Sequence, residues 1–271
     1  MTYDEFYSKF QGPNEGYCSL CDVYSKLTND HVPPTSLGNK GKYLIYNLPD
    51  KSKSITALNG VKIKSVCYKC NNEILSEYDT ELIYFAKAVK KFLTSERILL
   101  SPGKSHQVTI NSNKIVKGII GHLLAGSVNL QSLKTENKNS DKKENYFYKL
   151  RELYKKSEGN FIIECYINNY STINIFPLVS IALKLGDPNS ISFFSILSFY
   201  PLGFMIVENK SKKKILKNEY LNVKLENQVI DLKLLSRKTP HFPIDSPPKE
   251  GFILMNSYAN IAAEKVGSLI L

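Results

Sequence analysis

The sequence predicts an α+β protein in two parts: a domain over residues 1–100, and a larger basic domain over 101–271 with a mainly antiparallel sheet. Three observations predict this. Two C-x₂-C pairs, Cys18-Ser-Leu-Cys21 and Cys67-Tyr-Lys-Cys70, stand 45 residues apart and tie the first part together. Directly after Cys70 the apolar residues change from alternation to steps of three and four, so strand gives way to helix. From 161 to 235 short apolar runs are separated by Asn, Gly, Pro and Lys clusters, the pattern of successive strands.

In order along the chain, residues 4–10 read as a short helix before a Gly/Pro/Asn loop. The first cysteine pair is a knuckle that leads into a strand ending near residue 30. The run KYLIYNL over 42–48 is a β-segment, and 61–66 alternates apolar and polar residues into the second knuckle. Leu75, Tyr78, Leu82, Phe85, Ala86, Val89 and Leu93 then share one helical face, a helix of about six turns. Ser101-Pro102-Gly103 breaks that pattern and marks the domain boundary. KIVKGIIGHLLA over 114–125 reads as an apolar helix despite two glycines, and 135–144 as an exposed polar loop. FIIECYI, INIFPLVSIALKL, ISFFSILSFYP, LGFMIVEN and YLNVKLENQVIDLKL read as strands. A segment with Pro240, Pro243, Pro247 and Pro248 precedes a final short amphipathic stretch.

A hydrophobic fraction of 42% with 23% charged residues excludes a mainly disordered chain. The start, Met1-Thr2-Tyr3-Asp4-Glu5-Phe6, lacks the basic opening and apolar core of a signal peptide. The longest apolar stretches, 173–185 and 191–207, are broken by Pro177, Lys184, Pro201 and serines and are too short to span a bilayer. A soluble, cytoplasmic protein without a membrane partner is expected. In that reducing setting the five cysteines are poor disulfide formers, and their paired spacing favours metal. Cys165, inside FIIECYI, reads as a buried strand residue. The net charge of +11 is uneven: residues 1–100 carry 13 Lys/Arg against 11 Asp/Glu, and the remainder 23 against 14. A basic domain beside a nearly neutral one suits a nucleic-acid enzyme, although a Lys- and Asn-rich composition also arises from the base composition of a genome.

The cysteines come first chemically. Zinc takes four thiolates tetrahedrally, and each C-x₂-C turn offers two, so Cys18, Cys21, Cys67 and Cys70 form a saturated, structural Zn²⁺ site. Such a site ties the loop before Leu27-Thr28-Asn29-Asp30-His31-Val32-Pro33-Pro34 to the start of the helix at Asn71-Asn72. On an extended segment the side chains of Asp30 and His31 point to opposite sides. The Asp30 carboxylate can then bind a hard divalent cation, Asn71 can add an amide oxygen, and the His31 imidazole can face an incoming water. Phosphodiester hydrolysis needs those parts, a base for the water and a metal against the phosphate. Pro33 and Pro34 stiffen the segment after the base. Each residue also has a plainer use: Asp30 as a turn cap, His31 in packing, Asn71 and Asn72 as a helix cap.

With Cys-x₂-Cys, Leu-Thr-x-Asp-His-Val-Pro, Ser-Leu-Gly and Cys-x₂-Cys-Asn-Asn in this order, residues 18–80 resemble the zinc-clipped HNH endonucleases of the His-Me finger, or ββα-metal, class. The resemblance implies a ββα catalytic fold and DNA cleavage with Mg²⁺ or Mn²⁺, leaving 5′-phosphate and 3′-hydroxyl ends. By position, it implies His31 as the general base, Asp30 as the metal-binding acid before it, and Asn71 as the second metal ligand. Thr35-Ser36-Leu37-Gly38 matches the loop after the base, with Asn39 where a second Gly is common. Asp79 matches a recurring acidic position in the helix. The middle Asn of the pattern, which orients the base, has Asn59 as its only candidate, at a longer spacing from Cys67 than is usual. A backbone carbonyl serves there in many zinc-clipped members.

The other histidines, His106, His122 and His241, show no ligand spacing. Lys210, Lys212, Lys213 and Lys214 form a candidate phosphate-contacting hairpin tip, with a solvated loop as the favoured, plainer reading. The function expected is a DNA endonuclease, with phage defence or restriction as the setting the family implies. Its alternative is a non-catalytic, zinc-containing nucleic-acid-binding module. A homodimer follows if one site cuts one strand, and a small-molecule activator sensed by the second domain is a further option without support from any residue.

Overall fold

A computed structural model of the protein describes residues 12–47, 54–97, 106–127, 141–182, 191–208, 220–237, 252–255 and 260–267. The architecture is α+β with mostly antiparallel sheets. The expected helix at 4–10, the breaker at 101–103, the Pro-rich segment and Lys210, Lys212, Lys213 and Lys214 lie outside the described residues.

β1 (Glu15–Tyr17), β2 (Tyr24–His31) and β5 (Lys62–Cys67) form a three-stranded sheet in the order β1-β2-β5. β5 runs through the second cysteine pair into a π-helical segment, Cys70–Leu75, and then into α1, Ser76–Arg97. Along α1, Leu82, Phe85, Ala86, Val89 and Leu93 are buried, as the three- and four-residue spacing requires. α2 (Ser112–Gly126) is the apolar helix expected over 114–125. Its Asn111 cap accepts from Lys114 N at 3.0 Å, while Asn111 N donates to Glu81 Oε1 of α1 at 2.7 Å. Gly121 lets α2 close on Leu75 and Tyr154, where a Cβ would collide with the Leu75 side chain.

The large sheet has β11 (Tyr220–Leu221), β7 (Phe161–Ile167), β10 (Leu202–Glu208), β9 (Ile191–Phe199), β8 (Thr172–Ala182), β15 (Ile261–Lys265), β3 (Tyr43–Asn47) and β4 (Ser54–Ala57) in that order. β13 (Ser236–Arg237) adds to β7 in parallel, and β14 (Phe252–Met255) adds to β8. β6 (Gln107–Ile110) pairs with β12 (Gln228–Asp231) apart from it. Every residue of β10 is buried, on both of the strand's faces. Phe204 and Ile206 point into the apolar cluster shared with the helices, while Met205 and Val207 point into a second cluster with Phe176 and Phe194. The β8–β9 register breaks between Phe176 and Val179, around Pro177, which has no N–H for the ladder.

One local expectation changes, and one stretch that the sequence leaves unassigned proves to be a strand. Residues 141–144, expected in a polar loop, begin α3 (Asp141–Lys156), whose buried face carries Tyr146, Phe147, Leu150, Leu153 and Tyr154. The final amphipathic stretch is strand β15, which joins β8 to β3 and so draws strands from both sides of residue 100 into one sheet. The larger apolar cluster likewise runs from Cys18 to Ala263. Cys165 is buried in β7, as expected. Among the described residues no helix is long and apolar enough to cross a membrane.

Candidate functional site

After β1 the chain turns at once. Cys18 N donates to Val23 O and Asp22 N to Cys18 O, both at 2.9 Å, with Asp22 in the left-handed region at φ 64°. This knuckle meets the end of β5, where Cys67 N donates to Cys18 Sγ at 3.3 Å. The sulfurs of Cys18, Cys21, Cys67 and Cys70 all lie within 4.8 Å of one another. Those of Cys21 and Cys67 are 3.9 Å apart. A disulfide would bring them to about 2.05 Å, whereas thiolates about 2.3 Å from a tetrahedral zinc stand roughly 3.8 Å apart. The four cysteines could hold a metal ion such as zinc. The hydrogen bond between Cys70 and Cys18 draws the Cys18 thiol down to about 4 and pushes Cys70 up. Zinc takes cysteine as thiolate, so a bound cation would favour the deprotonated form of these ligands. Arg151 of α3 braces the knuckle, donating from Nε to Ser19 O at 3.1 Å with its guanidinium 3.7 Å from Asp22.

β2 pairs with β5 so that Asp30 stands across from Ile63 and His31 from Lys62. Strand alternation separates the two: Asp30 is buried and His31 is half-exposed. His31 Nε2 lies 3.1 Å from the backbone carbonyl of Asn59. A carbonyl only accepts, so Nε2 carries the proton and Nδ1 keeps the lone pair. Burial, with Lys62 nearby, lowers the His31 pKa below its ordinary value against the opposing pull of the Asn59 carbonyl. The ring therefore stays neutral at neutral pH.

The turn that carries the Asn59 carbonyl is tied at Val61 by Asn39. This side chain is wholly buried and donates from Nδ2 to Pro33 O at 2.6 Å and to Val61 O at 3.0 Å. Its Oδ1 accepts from Val61 N at 2.7 Å. It thereby stitches the loop after His31 to the turn before β5. Gly60 in that turn has φ +75°, and a Cβ there would run into the Asn39 backbone carbonyl. Only glycine satisfies both conditions.

Asp30 faces inward, toward helices α1 and α2. Its Oδ2 lies 4.0 Å from His122 Nδ1, and neither atom has a hydrogen-bond partner among the described residues. The other ring nitrogen, Nε2, is 2.7 Å from Asp79 Oδ1 on α1. Burial chiefly pushes Asp30 up to about 6, with His122 pulling it down and Asp79 pushing it further up. For His122, burial works against the charged ring, but Asp79 and Asp30 outweigh it and leave the pKa raised. Asn71 is engaged elsewhere: its Nδ2 donates to Thr28 Oγ1 at 3.0 Å, and Thr28 Oγ1 donates to Val66 O at 2.9 Å.

The four cysteines are thus brought together, and Asp30 and His31 end the strand that they clip. No hydrogen bond or ion pair among the described residues links Asn71 to Asp30. The residue the sequence passed over is His122, at the centre of α2. A histidine in the middle of an apolar helix must find a polar partner once buried, and Asp79 at an acidic position of the preceding helix was the available one. Asn39 was legible only as a departure from a glycine. No family model, no curated protein and no solved structure matches the chain.

Proposed function

We propose that the protein is a metal-dependent endonuclease that hydrolyses phosphodiester bonds in DNA, with His31 as the general base. The observation that carries this reading is the His31 Nε2 contact to the Asn59 carbonyl at 3.1 Å, which leaves Nδ1 as a proton acceptor on a half-exposed ring. The antiparallel β2–β5 pair running into a helix, with cysteines at both knuckles, supports a zinc-clipped ββα arrangement. The backbone carbonyl of Asn59, rather than its side chain, takes the part of the middle Asn.

In this reading Cys18, Cys21, Cys67 and Cys70 hold a structural zinc. Asp30 and Asn71 would hold the catalytic Mg²⁺ or Mn²⁺, and their carboxylate and amide oxygens are the hard donors such ions take. That ion, when bound, supplies charge neutralisation at the phosphate and the leaving oxygen. His31 Nδ1 accepts a proton from water as the water oxygen bonds to phosphorus. The P–O bond to the 3′ oxygen breaks, and that oxygen takes a proton from solvent. The excess of basic residues supports a polyanionic partner. The test is supercoiled plasmid incubated with the zinc-loaded full chain and Mg²⁺ or Mn²⁺: nicking by the parent and none by His31→Ala supports the reading, and equal cutting by both overturns it. The engagement of Asn71 by Thr28, and the inward-facing Asp30, favour a second reading, a zinc-containing module that binds nucleic acid without cutting it. Binding without metal-dependent cleavage in that assay would establish it.

A further inference from the structure

His122 has two contacts, and its part in the fold explains one of them. The Nε2 hydrogen bond to Asp79 joins α1 to α2 and satisfies one buried nitrogen. The other nitrogen of this wholly buried ring faces Asp30 Oδ2 across 4.0 Å, and neither atom has a hydrogen-bond partner among the described residues. Burying a nitrogen and a carboxylate oxygen opposite each other without a bond is unfavourable, so this pairing needs a reason. Closing the 4.0 Å gap to hydrogen-bond length, about 2.8 Å, requires the two side chains to approach by about 1.2 Å.

We propose that His122 is the positioning residue of the Asp30 carboxylate: as an imidazolium it donates from Nε2 to Asp79, which fixes the ring, and from Nδ1 to Asp30 Oδ2, and Asp30 Oδ1 is thereby presented to a divalent cation. This rests on the reading of Asp30 as a cation ligand. A carboxylate that ligates a hard ion is itself held by hydrogen bonds, because an unrestrained one loses orientation and affinity. Three elements converge on it: β2 brings Asp30, α1 brings Asp79, and α2 brings His122. His122 does not touch the reacting atoms and acts only through Asp30.

The test is Mn²⁺ binding to the zinc-loaded full chain without DNA, followed by the loss of the free-ion electron paramagnetic resonance signal. Asparagine places its amide near the Nδ1 position of histidine, and glutamine places it near Nε2. His122→Asn, which still reaches Asp30, should bind Mn²⁺ within about three-fold of the parent. His122→Gln, which reaches only Asp79, should bind at least about ten-fold more weakly, the scale of outer-shell losses. The reverse order, or His122→Gln as tight as the parent, would show that the histidine merely joins two helices. Asp30→Asn separates the two levels: if it binds Mn²⁺ as well as the parent does, Asp30 is not a ligand and the underlying reading falls as well. Where the His122 variants fail to fold, the parent still decides. With Mg²⁺ the ring ¹⁵N resonances of His122 should shift along the same binding curve as the ion, and unmoved resonances overturn the relay.

Discussion

His31 Nε2 is committed to the Asn59 carbonyl, so its whole chemical capacity lies at Nδ1. His31→Ala should lower plasmid nicking by about 10²–10⁴-fold, the usual loss of a general base, with zinc content and DNA binding unchanged. Added Mn²⁺ should not rescue it, since a metal does not replace a proton acceptor. The sign of the pH dependence follows from the lowered pKa of His31: in the proposed nuclease the neutral ring is the active form, and burial keeps it neutral further into acid. Activity should therefore be full at neutral pH and fall only as pH drops below the ordinary histidine value of 6.5, measured as initial rate against pH. Asn39 belongs to the same scale. Its wholly buried amide satisfies the backbone at Pro33 and Val61, so Asn39→Ala takes this partner from Pro33 O and Val61 N, while Val61 O keeps the Val32 N–H at 3.1 Å. Each orphaned group costs about 1–3 kcal/mol, and a urea titration should show a loss of at least that size. A stability unchanged by Asn39→Ala would mean that water replaces the amide and that the turn holds itself.

Among elements, the knuckles and the helix entering from Cys70 depend on each other. The first knuckle meets β5 through the Cys67 N–H on Cys18 Sγ, and Cys70 opens the helical run that carries Asp79. Cys67→Ser or Cys70→Ser should therefore abolish stoichiometric zinc and broaden or remove the thermal unfolding transition, read by elemental analysis and circular dichroism. A chelator should lower the melting temperature of the parent in the same way. Well-folded parent protein without zinc would overturn the clip. The helices were unequally legible. The face of α1 was plain from its spacing, since one apolar stripe packs on one core. α3 was hidden because its start, Asp141-Lys-Lys-Glu, is as polar as a loop, and its apolar residues begin only at Tyr146. β15 was hidden for a different reason: five residues suffice for a strand between two neighbours, and a strand that short has too few alternations to be read.

At the scale of the molecule, β15 is the joint. It pairs with β8 on one side and β3 on the other, and Ala263 at its centre is wholly buried. Ala263→Asp puts a carboxylate where neither side offers it a partner, and should cost roughly 3 kcal/mol or more or give insoluble protein. Hydrogen exchange should then rise in β3 as well as in β8; a rise confined to β8 would mean that β3 and β4 stand without the joint. The +11 charge acts at the same scale, and DNA affinity should fall linearly with the logarithm of salt concentration. Salt-independent binding would place the positive charge away from the contact. The cysteine spacing, the Asp-His pair and the period of α1 were determined by the sequence itself, because each is a local matter: ligand geometry within a turn, alternation along a strand, one face of a helix. The contacts of His122 with Asp79 and Asp30, the Asn39 stitch and the passage of one sheet across residue 100 were decided only by tertiary structure. Apart from the Asn39–Pro33 bond they join residues from 22 to more than 200 positions apart, and a buried polar group announces that it needs a partner without saying which element will supply it.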